Sequence, residues 1–337
     1  MTGPESGVGI TGEIVVLLPC LDDWDAIRLL LPRLDSALAH QARPARVLVV
    51  DDGSTIPSPA DLVSAPLSAI RAVDVLVLRR NVGHQRALCI ALCHVAKAPD
   101  FQQAAAVLVM DGDGEDAPED VPRLLARLDA DGYRRAVFAQ RLRRSEGMSF
   151  RLFYWLYRQL HRMLTGLPVQ VGNFSALPLP LVRRLTVVPE LWNHYAAATV
   201  HARLPVSLVL VNRAHRLSGT SRMQFVALVG HGMSAMSVFA DRIGVRALVV
   251  SAAVGLFVTL GMVATLAIRL FTARAIPGWA TSTLGLLAVL LLQTFLLSLI
   301  FTFLIHLGRS GSGFLPVRDT PWFVDHVDRR WSRDVEL

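Results

Sequence analysis

Two stretches of this chain carry no charge for long enough to decide where it can live. No Asp, Glu, Lys or Arg occurs from Ala247 to Ile268, and none from Ala275 to Ile305. Each exceeds the ~20 apolar residues that span a bilayer core as a helix. The pair therefore reads as a transmembrane hairpin, and the residues before it have the composition of a soluble enzyme. Arg242 and Arg246 precede the first span and Arg309 and Arg318 follow the second, while the turn carries Arg274, with Arg269 close by. Basic residues favour the cytoplasmic side, so both ends of the hairpin are expected there, at the inner membrane, with the tip outside. The opening MTGPESGVGI lacks a basic n-region and a long apolar core, so no secretory signal is expected. A net charge of +7 suits an anionic leaflet. It would suit nucleic acid equally, but no recognition motif accompanies it, and no nucleic-acid partner is expected.

Before the hairpin, strand and helix patterns alternate. Apolar runs at Glu13–Leu18, Arg46–Asp51, Val73–Arg79, Ala105–Asp111, Arg135–Gln140 and Pro205–Val211 read as strands. Helices are expected over Trp24–His40, from the GHQ segment to about Lys97, over Ala117–Leu128 and over Met223–Arg242. Near-continuous apolar strands alternating with helices imply a parallel sheet covered on both faces. The segment Ser149–Leu164 mixes aromatics and arginines at helical spacing, as an amphipathic helix in the membrane interface would. Three cysteines, Cys20, Cys89 and Cys93, read as free thiols. Cys89, Cys93 and His94 lack a fourth partner at zinc-site spacing and read as core residues.

The chemistry is concentrated at VLVMDGDGEDAPED, residues 107–120, where an apolar strand ends in Asp111, Asp113, Glu115 and Asp116. Adjacent carboxylates repel and raise one another's pKa. A shared divalent cation relieves that repulsion, and carboxylate oxygens suit Mg²⁺ or Mn²⁺. A solvated acidic loop capping the next helix is the plainer alternative. A second acidic strand end, Asp51 and Asp52, follows VLVV. Acidic residues at successive strand ends, without a GxGxxG loop, make a poor dinucleotide site. They make a good clamp for a nucleotide diphosphate held through a metal.

VVDDGS at 49–54, RRNVGHQRAL at 79–88 and the 107–120 segment resemble the nucleotide-sugar domain of inverting glycosyltransferases with the GT-A fold. More narrowly, the chain resembles the polyprenyl-phosphate glycosyltransferases related to dolichol-phosphate mannose synthase. The likeness continues through QRLRRSEG at 140–147, GNFSAL at 172–177, NRAHRLSGTSRM at 212–223 and IPGWAT at 276–281. It implies an α/β GT-A fold with a Rossmann-like mixed sheet, amphipathic interface helices and a C-terminal hairpin. It also implies nucleotide-sugar contacts at Pro19, Asp23, Asp51, Asp52, Gly83, Gln85, Asp111 and Gly112, and a metal, Mg²⁺ or Mn²⁺, at Asp111, Asp113 and Glu115. Acceptor phosphate would be held by Arg141, Arg151, Arg213, Arg216, Ser221 and Arg222, and catalysis would involve Asp113, Asn173, Arg141 and Arg213. Domain boundaries follow: a cytoplasmic catalytic domain over 1–212, an acceptor-phosphate loop and juxtamembrane helix over 213–243, two transmembrane helices over 244–307, and a cytoplasmic tail over 308–337. Relatives form tetramers, so a homo-oligomer is implied.

Five positions in three segments depart from the family pattern. Leu21, Asp22 and Asp23 stand where an aromatic and an amide are usual, Glu115 stands where Gln is usual, and Asn173 replaces a carboxylate often assigned as base. The last change is chemically tolerable. A phosphate monoester has a second pKa near ~6, so a lipid phosphate is mostly dianionic at neutral pH and needs positioning more than proton removal. The expected reaction is transfer of one sugar from a UDP- or GDP-sugar to a polyprenyl phosphate, by direct displacement with inversion, for cell-envelope glycan or glycolipid modification. A processive polysaccharide synthase is the first alternative, with VDRRW at 327–331 as the nearest likeness to its QxxRW signature. A catalytically weakened scaffold for sugar-lipid export is the second.

Overall fold

The structure, a computed structural model, describes residues 12–41, 43–141, 159–165, 172–212, 214–218, 225–272, 278–310 and 313–333. The chain divides into two compact units. One comprises Met1–Tyr154, Val169–Val238 and Phe314–Leu337, and the other Trp155–Pro168 and Phe239–Gly313.

The first unit is built on β1 (Ile14–Cys20), whose seven residues are all buried. β1 lies parallel to β2 (Ala45–Asp51) on one side and to β4 (Ala106–Val109) on the other. β3 (Ile70–Leu78) continues the parallel set beyond β2. Alternate residues of these strands feed opposite faces, as the two-residue period of a strand requires. Val16, Leu18, Val47, Val49 and Leu108 meet Ile27, Leu30 and Leu34 of α1 (Trp24–Leu38) and Leu124 and Leu128 of α3 (Val121–Ala130). Val15, Leu17, Leu48, Val50 and Val107 meet Leu88, Leu92 and Val95 of α2 (His84–Lys97). Helices therefore cover both faces, and the parallel strands deliver their carboxyl ends to one edge.

The sheet is mixed where residue patterning alone implied a parallel one. β6 (Ser175–Pro178) inserts antiparallel between β4 and β5 (Ala136–Arg141), and β7 (Val206–Val211) lies parallel to β5 beyond it. The full order is β7-β5-β6-β4-β1-β2-β3-β8. The last strand, β8 (Val324–Ser332), falls in the segment expected to be a tail, and it pairs antiparallel with β3. Two contacts explain its place. Arg329 Nε bonds Asp74 Oδ1 at 2.9 Å, sharing that buried carboxylate with Arg46 at 3.2 Å, and Trp331 packs against the core. Charges such as Asp325 and His326 face outward, as an edge strand tolerates. Trp331 is thus a sheet residue, which removes the likeness between VDRRW and a synthase signature.

The three cysteines are free and buried, as expected. The helix Phe225–Ser237 ends this unit's central portion, and its His231 Nε2 stands 3.2 Å from His194 Nε2.

The second unit holds two helices, Ala240–Phe271 and Trp279–Ser310. They pack as an antiparallel hairpin. Gly244 lies against Ile305, Gly255 against Leu291 and Gly261 against Leu287, and a Cβ at Gly244 would meet Ile305 Cδ1. Small residues at such contacts let helices approach closely. In their most apolar windows only 6% and 0% of residues are buried. Both helices are long and apolar enough to cross a membrane, and their exposure rules out the buried core helix of a soluble protein. Of the expected interface helix, residues 149–158 lie outside the described residues. Residues 159–165 are helical, with Leu160 and Met163 exposed, and Arg246 Nη1 bonds the Met163 carbonyl at 2.5 Å.

Candidate active site

The site lies at the carboxyl ends of β1, β2 and β4, the position at which open α/β sheets bind ligands. The loops after β2 and β3 are stitched together first. Both oxygens of Asp52 accept backbone N–H groups, from Val82 at 2.7 Å and Gly83 at 2.9 Å. Burial pushes the Asp52 carboxyl up, against the pull of those two amides. Asp52 thus braces the loop that opens α2. Asp51 Oδ1 accepts Ser54 N–H at 2.8 Å. Gly53 has φ +71°, and a Cβ there would lie 2.5 Å from Asn81 N, so the turn requires glycine.

Asp22, one of the departures from the family pattern, also has a structural task. Its Oδ1 accepts Thr55 N–H at 2.7 Å and Ile56 N–H at 3.1 Å, and Trp24 Nε1 donates to the Ile56 carbonyl at 2.9 Å. The β1–α1 turn and the loop after β2 thus form one wall. Pro19 is the penultimate residue of β1, and Gly112 packs so closely that a Cβ would stand 2.9 Å from Pro19 O and 2.6 Å from Ile27 Cδ1.

The acidic turn after β4 is crowded. Asp116 is buried, accepts the Asp111 amide at 2.9 Å through Oδ2 and meets Arg141 Nη2 at 2.8 Å through Oδ1. Burial, then the adjacent Asp111 charge, push the Asp116 carboxyl up against the pull of Arg141. Asp113 accepts Glu115 N–H at 2.9 Å, and burial with the charges of Asp111 and Glu115 pushes it up as well. Glu115 turns toward Arg141, with Nη1 and Oε2 4.0 Å apart. Among the described residues no three His, Cys, Asp or Glu side chains are arranged to hold a metal ion. The expected trio of Asp111, Asp113 and Glu115 thus does not form such a group as the side chains stand.

A divalent cation held by fewer protein ligands fits nevertheless. Asp111 Oδ1 is a buried oxygen without a hydrogen bond. His84 Nε2 stands 3.3 Å away, an ion-pair partner when its ring is protonated. Asp113 carries its charge in the same turn. Mg²⁺-type sites in nucleotide enzymes take one or two carboxylates and complete their shell with water and substrate phosphates.

The arginines expected to await a phosphate are engaged with carboxylates. Arg141 belongs to Asp116. Arg216 bridges Asp23 (Nη2–Oδ2 2.6 Å) and Asp113 (Nη1–Oδ2 3.1 Å), while its Nε donates to the Ser218 carbonyl at 2.9 Å. Arg151, Arg213, Ser221 and Arg222 lie outside the described residues.

On the α2 side, Tyr195 N–H donates to Gln85 Oε1 at 2.8 Å, which turns the Gln85 amide nitrogen toward Asn173 Oδ1 at 3.2 Å. Asn173 Nδ2 then faces His84 Nε2 at 2.9 Å. Gly83 caps α2 with φ +92°. Sequence reasoning counted Asp116 in the acidic cluster without a role of its own, and gave His84 only a structural or nucleotide-proximal one. Both lie within motifs already singled out, and only spatial neighbours distinguish them.

Residues 16–184 match the sequence model of the family described as Glycosyl transferase family 2. Among curated relatives, the undecaprenyl-phosphate 4-deoxy-4-formamido-L-arabinose transferase of Klebsiella pneumoniae subsp. pneumoniae is 26% identical over 228 residues, covering 64% of each chain. That of Pectobacterium carotovorum subsp. carotovorum is also 26% identical over 228 residues, with the same coverage. The chain thus spans just under two thirds of the length of these relatives. Among solved structures, a mycobacterial protein superposes with a TM-score of 0.50 at 21% identity, over 71% of this chain and 76% of that one, a likeness of fold. A glucosyl-3-phosphoglycerate synthase from Mycobacterium tuberculosis, solved with Mn²⁺, UDP-glucose and phosphoglyceric acid, gives 0.49 at 20% identity, over 69% and 80%.

Proposed function

Because this chain belongs to glycosyl transferase family 2, we propose that it moves a single sugar from a nucleotide-sugar donor to a polyprenyl phosphate at a membrane surface. The observation that carries this reading is the acidic turn at Asp111–Asp116, set at the open end of a parallel sheet in a chain that also holds two exposed apolar helices. The curated relatives named above act on undecaprenyl phosphate, which supports a lipid phosphate acceptor.

In this reading the wall formed by Asp22, Ser54 and Ile56 flanks the nucleotide, and Asp51 and Pro19 lie beneath it. Asp111 and Asp113 would hold a divalent cation, Mg²⁺ or Mn²⁺, which when bound offsets the charge developing on the departing nucleotide diphosphate. Arg141 keeps Asp116 fixed under Asp111 and sets the turn. Asn173 is held by Gln85 with its amide nitrogen toward His84, and an amide side chain orients a polar group rather than abstracting a proton. The lipid phosphate attacks the anomeric carbon as the carbon–oxygen bond to the diphosphate breaks, so configuration inverts. Arginine side chains, among them Arg213, Arg216 and Arg222, supply its counter-charge. The inner membrane, a cytoplasmic catalytic face and a homo-oligomeric assembly belong to the same proposal.

The test incubates the purified full chain with Mg²⁺ or Mn²⁺, polyprenyl phosphate and a panel of UDP- and GDP-sugars. A lipid-linked monosaccharide from one donor is the expected product. A polymer would favour the synthase reading, and absence of any lipid-linked sugar with every donor would refute transfer to this acceptor.

A further inference from the structure

We propose that Arg216 is an internal counter-ion for the acidic turn, which a divalent cation must displace from Asp113 to enter, and that this displacement releases the 214–218 segment from the site. The inference rests on the metal reading above and goes beyond it. It assigns one arginine two successive partners and makes cation entry the event that frees it.

The geometry is specific. All three guanidinium nitrogens of Arg216 are engaged, with Asp23, Asp113 and the Ser218 carbonyl, so three of its five N–H groups are already committed. The two carboxylates come from different loops, 193 and 103 residues away in sequence. Side-chain exposures of 17% for Arg216, 19% for Asp113 and 27% for Asp23 place the cluster largely out of bulk water, where an ion pair is weakened less by salt. The surrounding backbone is laid over the turn as a strap. Ala214 N–H donates to the Glu115 carbonyl at 3.0 Å and Leu217 N–H to the Asp113 carbonyl at 2.9 Å. Leu217 covers Gly114, where an added Cβ would lie 2.4 Å from its Cγ.

Charge decides the consequence. Arg141 is committed to Asp116, so Arg216 is the arginine that neutralises Asp113. A divalent ion brings twice the charge and prefers hard carboxylate oxygen, so it competes for the same side chain. Once displaced, a guanidinium fork matches phosphate as well as it matches carboxylate. The residue that guards the acidic turn can present its full fork to a phosphate once the cation has entered.

The experiment measures Mn²⁺ binding to the full chain without nucleotide, by loss of the free-ion electron paramagnetic resonance signal. Arg216→Gln should bind Mn²⁺ about tenfold more tightly than the wild type, the scale expected for one partly buried charge pair. Arg216→Lys should fall between them, and Asp113→Asn should lose the site in either background. Equal or weaker affinity in Arg216→Gln, with the Asp113 dependence intact, overturns the counter-ion role and leaves the metal reading standing. No Mn²⁺ binding in wild type and variant alike overturns both. Should Arg216→Gln fail to fold, hydrogen exchange of the wild type decides the matter. Mn²⁺ must speed exchange at the Leu217 amide severalfold, and unchanged or slower exchange overturns the proposal.

Discussion

Asn173 shows how a single amide is constrained by neighbours that no local motif reveals. The Tyr195 amide fixes Gln85, and Gln85 fixes Asn173. A carboxylate in its place would still accept from Gln85, but it would bring a further negative charge to a turn where Asp111 and Asp113 already stand. We therefore expect Asn173→Asp to leave kcat unchanged or lower it. A rise of tenfold or more in steady-state assays would show that the reaction lacks a base which the natural residue fails to provide. The carboxylates of the site were legible at this scale because acidic strand ends are rare and local. Their cations were not. Nothing near Arg216 in the sequence indicates Asp23, and the spacing that suggests a phosphate-binding arginine is equally compatible with one already spent on carboxylates.

Elements hold together through side chains that bridge from one to the next, and Asp35 of α1 is the clearest case. Its Oδ2 accepts both the amide and the hydroxyl of Ser68 at 2.8 Å, and its Oδ1 accepts Ala69 and Ile70 N–H at 2.8 and 2.9 Å, fixing the start of β3. Burial alone would raise the Asp35 pKa, but these bonds outweigh it and hold it below the ordinary Asp value. A carboxyl depressed in the folded state contributes stability above its unfolded pKa and loses it as pH falls through the folded one. The unfolding midpoint of the full chain should therefore drop on acidification below about pH 4. Asp35→Asn should flatten that drop while costing about 1–3 kcal/mol at neutral pH. An unchanged acid limb in the variant, followed by tryptophan emission in denaturant, would remove Asp35 from the account. The strands β1 to β5 and β7 were readable because burial on both faces makes them continuous apolar runs. β6 escaped because four residues are too few to show a period. β8 escaped because it sits on an edge, where Asp325 and His326 cost nothing to expose and mask the inward Trp331.

At the scale of the molecule, the hairpin is the part the sequence announces most plainly. Side chains such as Phe257, Phe295 and Leu297 are 74%, 63% and 65% exposed, which water would penalise. Alkaline carbonate should leave the protein in the membrane pellet, and only detergent should release it. Recovery in the carbonate supernatant would contradict a spanning hairpin. The apolar hairpin was legible in charge alone, but the return of the chain to the sheet at β8 was not, since a polar segment after a membrane span looks like a tail.

That return bears on how the protein is made. The ribosome delivers β1 to β7 first, then both apolar helices, and only afterwards β8. Asp74 waits for Arg329, and the exposed margin of β3 waits for its partner, until the hairpin has left the exit tunnel. The sheet is completed last, by a strand on the far side of the membrane segment in sequence. A nascent chain stalled before insertion would carry an open strand edge and one of the two arginines that neutralise Asp74. Passage of the apolar hairpin and the final step of folding are thereby joined in time.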